Sequence, residues 1–239
     1  MTIKIPINAA IMDNDTATMY GYFGMDAVSP KSVNSLLSQA NGDDLQVDIA
    51  SPGGDVFAAS EIYSELKSYS GNVNVRVVGL AASAASIIAM AGDHVSISPT
   101  AQIMIHKASS GLQGNSNDLE HEAIVLKGID QSIASTYELR TGLDKNQLLS
   151  LMEKETWLSA QEAVDKGFAD EIMFIDDNQP QIVNSEVIIP SKEAVNKFMN
   201  LLSKSKQNMN KDIIQPKKSP TNVLRQKKLD ILLGKKEGI

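Results

Sequence analysis

The chain has 239 residues, 42% of them hydrophobic and 21% charged, enough for one full core plus an appendage. It contains no cysteine, which excludes disulfide frameworks, thiolate metal sites and a cysteine nucleophile. The formal charge of −7 is divided unevenly: residues 191–239 carry 12 Lys/Arg against 4 Asp/Glu, leaving 10 basic and 25 acidic residues for 1–190.

The first twenty residues lack a continuous apolar core of signal-peptide length, and no later run approaches a membrane span, so a cytoplasmic protein is expected. LQVDIA (45–50) alternates as a strand does, and SPGGD follows it at once. Over 55–69, Val56, Ala59, Ile62, Tyr63, Leu66 and Tyr69 recur near a 3.6-residue period and predict an amphipathic helix. VNVRVVGL (73–80) predicts a second strand, and SAASIIAMAG a helix of small residues closed by Gly92 as its C-cap. HVSISP and AQIMIH predict two more strands, followed by a long helix over 118–142 and a shorter one over 143–154. ETWLSAQEAVDKGFADEI contains a capping box, Ser159 with Glu162, and a helix closed by Gly167. Repeated strand-to-helix units predict an α/β fold. The polar stretch around Pro180 marks a break, giving a body over 1–176, a linker over 177–190 and a basic helical tail over 191–239. Neither short helical pattern of the tail can bury a core alone, so the tail reads as a partner-binding or partly disordered segment. With no aromatic stacking pattern and no known motif, it is a poor nucleic-acid binder.

Two serines, Ser83 and Ser86, stand among the alanines where a strand becomes a helix. Ser83 lies at the helix start, where a hydroxyl can face outward beside the next N–H, as on a nucleophile elbow, although G-x-S-x-G itself is missing. Ser86 lies one turn further in, where a serine packs or bonds back to the preceding turn. Of three histidines, His106 alone ends an apolar strand, where a side chain can face a pocket; a structural histidine is an equal reading. The glycines of SPGGD permit close backbone approach to a ligand and could expose amides to developing negative charge, or could simply make a turn. Neither phosphate-loop pattern is present.

Taken in order, VDIASPGGDVFAA, GLAASAASIIAMAG, AQIMIHKAS and ETWLSAQEAVDKGFADEI resemble the Clp-type serine peptidases, and among them the phage and prophage head maturation branch. The similarity covers roughly residues 15–175. It implies a ClpP/crotonase-like α/β fold of repeated β-β-α units with a protruding strand-and-helix handle over 107–140. It also implies Ser83 as nucleophile, nine residues before Gly92, His106 as base, and the amides of Gly54 and Ala84 as oxyanion donors. Glu155 takes the position where cellular members commonly have aspartate, and Ala85 stands where a glycine is usual. The implied function is a serine endopeptidase, ATP-independent by itself, needing no metal or cofactor and acting on polypeptide through stacked homo-oligomeric rings. In the phage branch the substrates are capsid or scaffold proteins inside a prohead, and the basic tail would dock to them. The N-terminus matches no unfoldase-docking loop. Two rival readings are a crotonase-like acyl-CoA enzyme and a catalytically inactive assembly protein; a Ser–Lys dyad using Lys107 is a lesser variant.

Overall fold

The computed structural model describes residues 2–174; the expected linker and basic tail lie outside the described residues. In chain order the elements are β1 (Ile3–Ile7), β2 (Ala10–Ile11), α1 (Asn14–Tyr22), β3 (Ala27–Val28), α2 (Pro30–Ala40), β4 (Leu45–Ser51), α3 (Val56–Lys67) and β5 (Val73–Ala82). There follow α4 (Ala84–Ala89), β6 (His94–Ile97), β7 (Gln102–Ile105), α5 (Ser116–Thr141), α6 (Lys145–Glu153), β8 (Thr156–Ser159), α7 (Ala160–Asp165) and β9 (Glu171–Ile172). The main sheet runs β1-β4-β5-β6-β9 with all neighbours parallel, as expected for strands joined by helical crossovers.

The apolar pattern explains the packing. Strand β4 buries Leu45, Val47, Ile49 and Ser51 on alternate positions. Helix α3 turns Ala58, Ala59, Ile62 and Leu66 to the core behind an Asp55 N-cap whose side chain accepts from the Ala58 amide. All six residues of α4 are buried where it packs against α3 and β5, four of them small and two, Ile87 and Ile88, filling the remaining space. Burial of each Val or Ile in these strands stabilises the fold by roughly 1.5–3 kcal/mol.

Strand β5 is the element that creates the site. Its first half, Asn74–Val77, pairs with β6, whereas Leu80, Ala81 and Ala82 pair with Gln102, Ile103 and Met104 of β7. The sheet therefore forks past Val77, and β7 continues beyond the end of β5. β7 also pairs antiparallel with β8, a strand within ETWLSA that the sequence reading had folded into the approach to a helix.

Two expectations need correction. Helix α4 ends at Met90 in an ordinary helical conformation, and Gly92 is not its left-handed cap. Gly92 is instead required by space: a side-chain carbon there would fall 2.8 Å from Val75 Cγ2 and 3.0 Å from Val95 Cγ2. The second concerns the handle. Helix α5 supplies its helical part, with an Asn115–Asp118 capping box and Gly142 in the left-handed conformation. Residues 107–115 form no strand, because a strand needs partners for its backbone groups and none among the described residues pairs with this segment. Among the described residues no helix is long and apolar enough to cross a membrane.

Candidate active site

The fork between β5 and β7 sets the geometry. Because Ala82 is in register with Met104 and the strands are parallel, the residues following each emerge side by side. The Ser83 amide still donates to Met104 O at 2.8 Å, after which the chain turns sharply into α4. Ser83 has φ 53° and ψ −123°, a sparsely populated conformation for a residue with a side chain. Such strain, of order 1–3 kcal/mol, persists only where the surroundings over-determine it. It lifts Oγ out of the buried elbow, and Oγ lies 2.7 Å from His106 Nε2 at the end of β7. Both residues are partly buried, between the closed core and solvent.

The two glycines of SPGGD complete the setting. Gly53 has φ 92°, and a side-chain carbon on it would lie 2.8 Å from Ser83 Cβ and 2.9 Å from Ala84 N. Gly54 has φ 149°, and a side-chain carbon there would collide with Ile11 O. Both positions demand glycine, for conformation and for space. The loop is tied down by Ile11, whose amide donates to Gly53 O at 2.9 Å and whose carbonyl accepts from the Asp55 amide at 2.8 Å. Ser51 Oγ also accepts from the Gly53 amide at 3.1 Å. The amides of Gly54 and Ala84 donate to no group among the described residues.

Glu155 is placed differently. It sits on the turn before β8 with φ 50°, is exposed, and its Oε1 accepts from Trp157 Nε1 at 3.3 Å. The structure does not pair it with His106, whose hydrogen bond among the described residues is the one to Ser83. Lys107 Nζ pairs with Glu153 Oε1 at 3.6 Å. His94 lies on the surface beside Asp170 and Glu171, and His121 is exposed on α5.

Ser86 bonds back to the preceding turn, as expected from its place in the sequence, and two residues that the sequence does not connect to the site, Tyr137 and Asp130, also meet it. Ser86 is wholly buried, and its Oγ donates to Ser83 O at 2.6 Å and lies 2.7 Å from Tyr137 Oη. Burial pushes the Tyr137 phenol far above its ordinary range, the Ser86 contact offsetting this in part. Asp130, also buried, accepts from the Ala108 amide at 2.8 Å, two residues past His106. In sequence Tyr137 looks like an ordinary core aromatic and Asp130 like one more charge on a long polar helix. A narrow depression at Ser83 and His106 is walled by Val56, Ile87 and Ile133. The same three residues line a neighbouring groove of about 440 Å³ that extends along Phe57, Val125 and Ile129.

This arrangement can activate a hydroxyl: an imidazole nitrogen in hydrogen-bond contact, two backbone amides on adjoining turns and an apolar groove alongside. A model of the Clp protease family matches residues 25–176. The chain is 33% identical over 138 residues to the ATP-dependent Clp protease proteolytic subunit of Deinococcus radiodurans, covering 57% of this chain and 68% of that protein. It is 31% identical over 134 residues to the protein of the same description from Bacteroides fragilis, covering 55% and 65%. To the ATP-dependent Clp protease proteolytic subunit 1 of Salinibacter ruber it is 26% identical over 153 residues, covering 62% and 66%. The matches thus span about two thirds of the length of these relatives.

Proposed function

The chain belongs to the Clp protease family, and from that premise we propose that it is a serine endopeptidase with Ser83 as nucleophile and His106 as general base. The observation that carries this reading is the 2.7 Å contact between Ser83 Oγ and His106 Nε2 at a strained strand-to-helix turn. In the reaction Oγ attacks the scissile carbonyl carbon as His106 Nε2 takes its proton. In this proposal the resulting oxyanion accepts from the Gly54 and Ala84 amides, backbone donors that stabilise the charge as it develops. His106 then passes the proton to the leaving amine, and the C–N bond breaks to leave an acyl ester on Ser83. Water, deprotonated by His106, releases the second product and restores the hydroxyl.

For Nε2 to accept, the imidazole proton must reside on Nδ1, which then requires an acceptor. Glu155 is that acceptor in this proposal: it leaves Trp157 and turns to His106 when substrate or a neighbouring subunit orders the turn. The apolar groove beside the serine supports an extended polypeptide substrate with an apolar side chain near the scissile bond. Assembly into stacked rings, with capsid or scaffold protein as substrate and the basic tail as the docking segment, is the finer form of the reading; the resemblance of the four ordered motifs to the phage and prophage branch and the basic character of residues 191–239 support it. The pairing of Glu155 with Trp157 and not with His106 favours one second reading, an assembly protein that keeps the fold without turnover.

A fluorophosphonate separates the two. On the full-length protein it should label Ser83, mapped by peptide mass spectrometry, and labelling should vanish in Ser83→Ala. A wild-type protein that stays unlabelled, or a label that survives Ser83→Ala, overturns the peptidase assignment.

A further inference from the structure

Helix α5 brings two buried polar groups to the site from one face. Asp130 and Tyr137 are seven residues apart, two turns of helix, and Ile133 and Ala134 between them are buried on the same side. Each reaches a different half of the site.

The connection from Tyr137 has a defined direction. Ser83 O accepts twice from Ser86, from its amide at 2.9 Å and from its hydroxyl at 2.6 Å. A hydroxyl has one proton, and that of Ser86 is committed to a carbonyl that can only accept. In the 2.7 Å contact between Ser86 Oγ and Tyr137 Oη the phenol must therefore donate. The order is Tyr137 O–H to Ser86 Oγ, then Ser86 O–H to Ser83 C=O. Burial favours the neutral phenol, which keeps this donor in place.

The carbonyl at the end of this chain shares a planar peptide with the Ala84 amide. Fixing Ser83 C=O therefore fixes the direction of the Ala84 N–H, and hydrogen bonds to the carbonyl polarise that N–H further. Two turns earlier on α5, Asp130 Oδ1 holds the Ala108 amide and with it the chain just past His106. We propose that Tyr137, acting through Ser86, and Asp130 are positioning residues: the first aims the Ala84 oxyanion donor, the second holds the end of β7 that carries His106. Helix α5 thus sets the two halves of the site against each other. The proposal rests on the peptidase reading for its catalytic consequence, but its geometric content can be measured independently.

The test uses full-length Tyr137→Phe, Ser86→Ala, the double variant, Asp130→Ala and Asp130→Asn. Tyr137→Phe should lower kcat and the second-order fluorophosphonate rate roughly tenfold or more, with the peptide KM unchanged within about twofold. Because Tyr137 acts through Ser86, the double variant should be no slower than Ser86→Ala alone. Asp130→Ala should fall by a similar factor, and Asp130→Asn should recover most of it, since an amide oxygen can still accept from Ala108. A Tyr137→Phe rate within twofold of wild type, or multiplicative effects in the double variant, overturns the proposal. If wild type is not labelled at Ser83, the peptidase reading fails and the positioning by Tyr137 and Asp130 is read by NMR on 15N-alanine-labelled protein. Tyr137→Phe should then shift the Ala84 amide resonance, and Asp130→Ala that of Ala108; unmoved resonances overturn the proposal.

Discussion

The nucleophile side and the acid side of the candidate site are built in opposite ways. Ser83 and His106 stand at the ends of adjacent core strands, and the peptide flanking Ser83 is bonded to β7 on one side and to Ser86 on the other. Glu155 stands on an exposed turn beside Trp157, and among the described residues its carboxylate bonds to Trp157 and not into the core. A group fixed by strand register and buried hydrogen bonds is pre-organised within one chain. A group on a surface turn acquires its catalytic position only when something else orders that turn. The contrast suggests that the nucleophile and base belong to the fold, whereas the acid belongs to the assembled or substrate-bound state.

The largest test removes the fixed side. Ser83→Ala and His106→Ala should each lower kcat on a peptide substrate by about 10⁵–10⁶-fold, with the thermal midpoint nearly unchanged. Comparable activity in His106→Ala would transfer the base role to another group and dissolve the contrast. Gly53→Ala probes the same side through the backbone. Its side-chain carbon would meet Ser83 Cβ and Ala84 N at a φ of 92°. A stability loss of at least about 1–3 kcal/mol is expected, together with slow fluorophosphonate labelling. A variant with wild-type melting and labelling would show that the glycine loop does not constrain the elbow.

How much of this was legible in the sequence follows the same division. Strands and helices of the body were readable where apolar periodicity was strong, as in β4, α3 and β5. The N-terminal elements β1 and α2 were not read, although α2 buries Val33, Leu37 and Ala40 at helical spacing and has a Ser29 cap and Pro30 at its start. Ser83 and His106 could be singled out because few residue types can activate a hydroxyl, and because both sit at strand ends. The fork that joins them could not be read, since pairing of β5 with β6 and then β7 is a long-range property. Nor could the left-handed turn at Glu155, because glutamate gives no local signal for positive φ. Tyr137 and Asp130 were hidden for the complementary reason: helical spacing reports which face is buried, not which buried polar atoms meet.

Replacing Glu155 tests the movable side. Glu155→Gln should reduce kcat by at least tenfold less than loss of Ser83 or His106 does, because the remaining pair retains its contact. The KM should hardly change, as the partner proposed for Glu155 is His106 and not substrate. An effect equal to that of His106→Ala would mean that the acid is as rigidly engaged as the base. No effect would remove Glu155 from the mechanism and leave a Ser–His dyad.

The smallest expected effect is the most specific to the contrast. Trp157 Nε1 holds Glu155 Oε1 at 3.3 Å, a long hydrogen bond on an exposed surface. In the proposed cycle that bond competes with the imidazole for the same carboxylate. Trp157→Phe keeps an aromatic ring on β8 and removes only the indole donor. A net hydrogen-bond contribution of about 0.5–1.5 kcal/mol corresponds to a gain of a few-fold to about tenfold in the population free to turn toward His106. The expected outcome is therefore a modest rise in kcat in Trp157→Phe, absent when Glu155→Gln is also present. A fall in kcat would assign Trp157 the opposite role, that of guiding the carboxylate into place. A rise that persists without Glu155 would place the origin of the effect in the peptide groove, leaving the acid side of the site without a competitor.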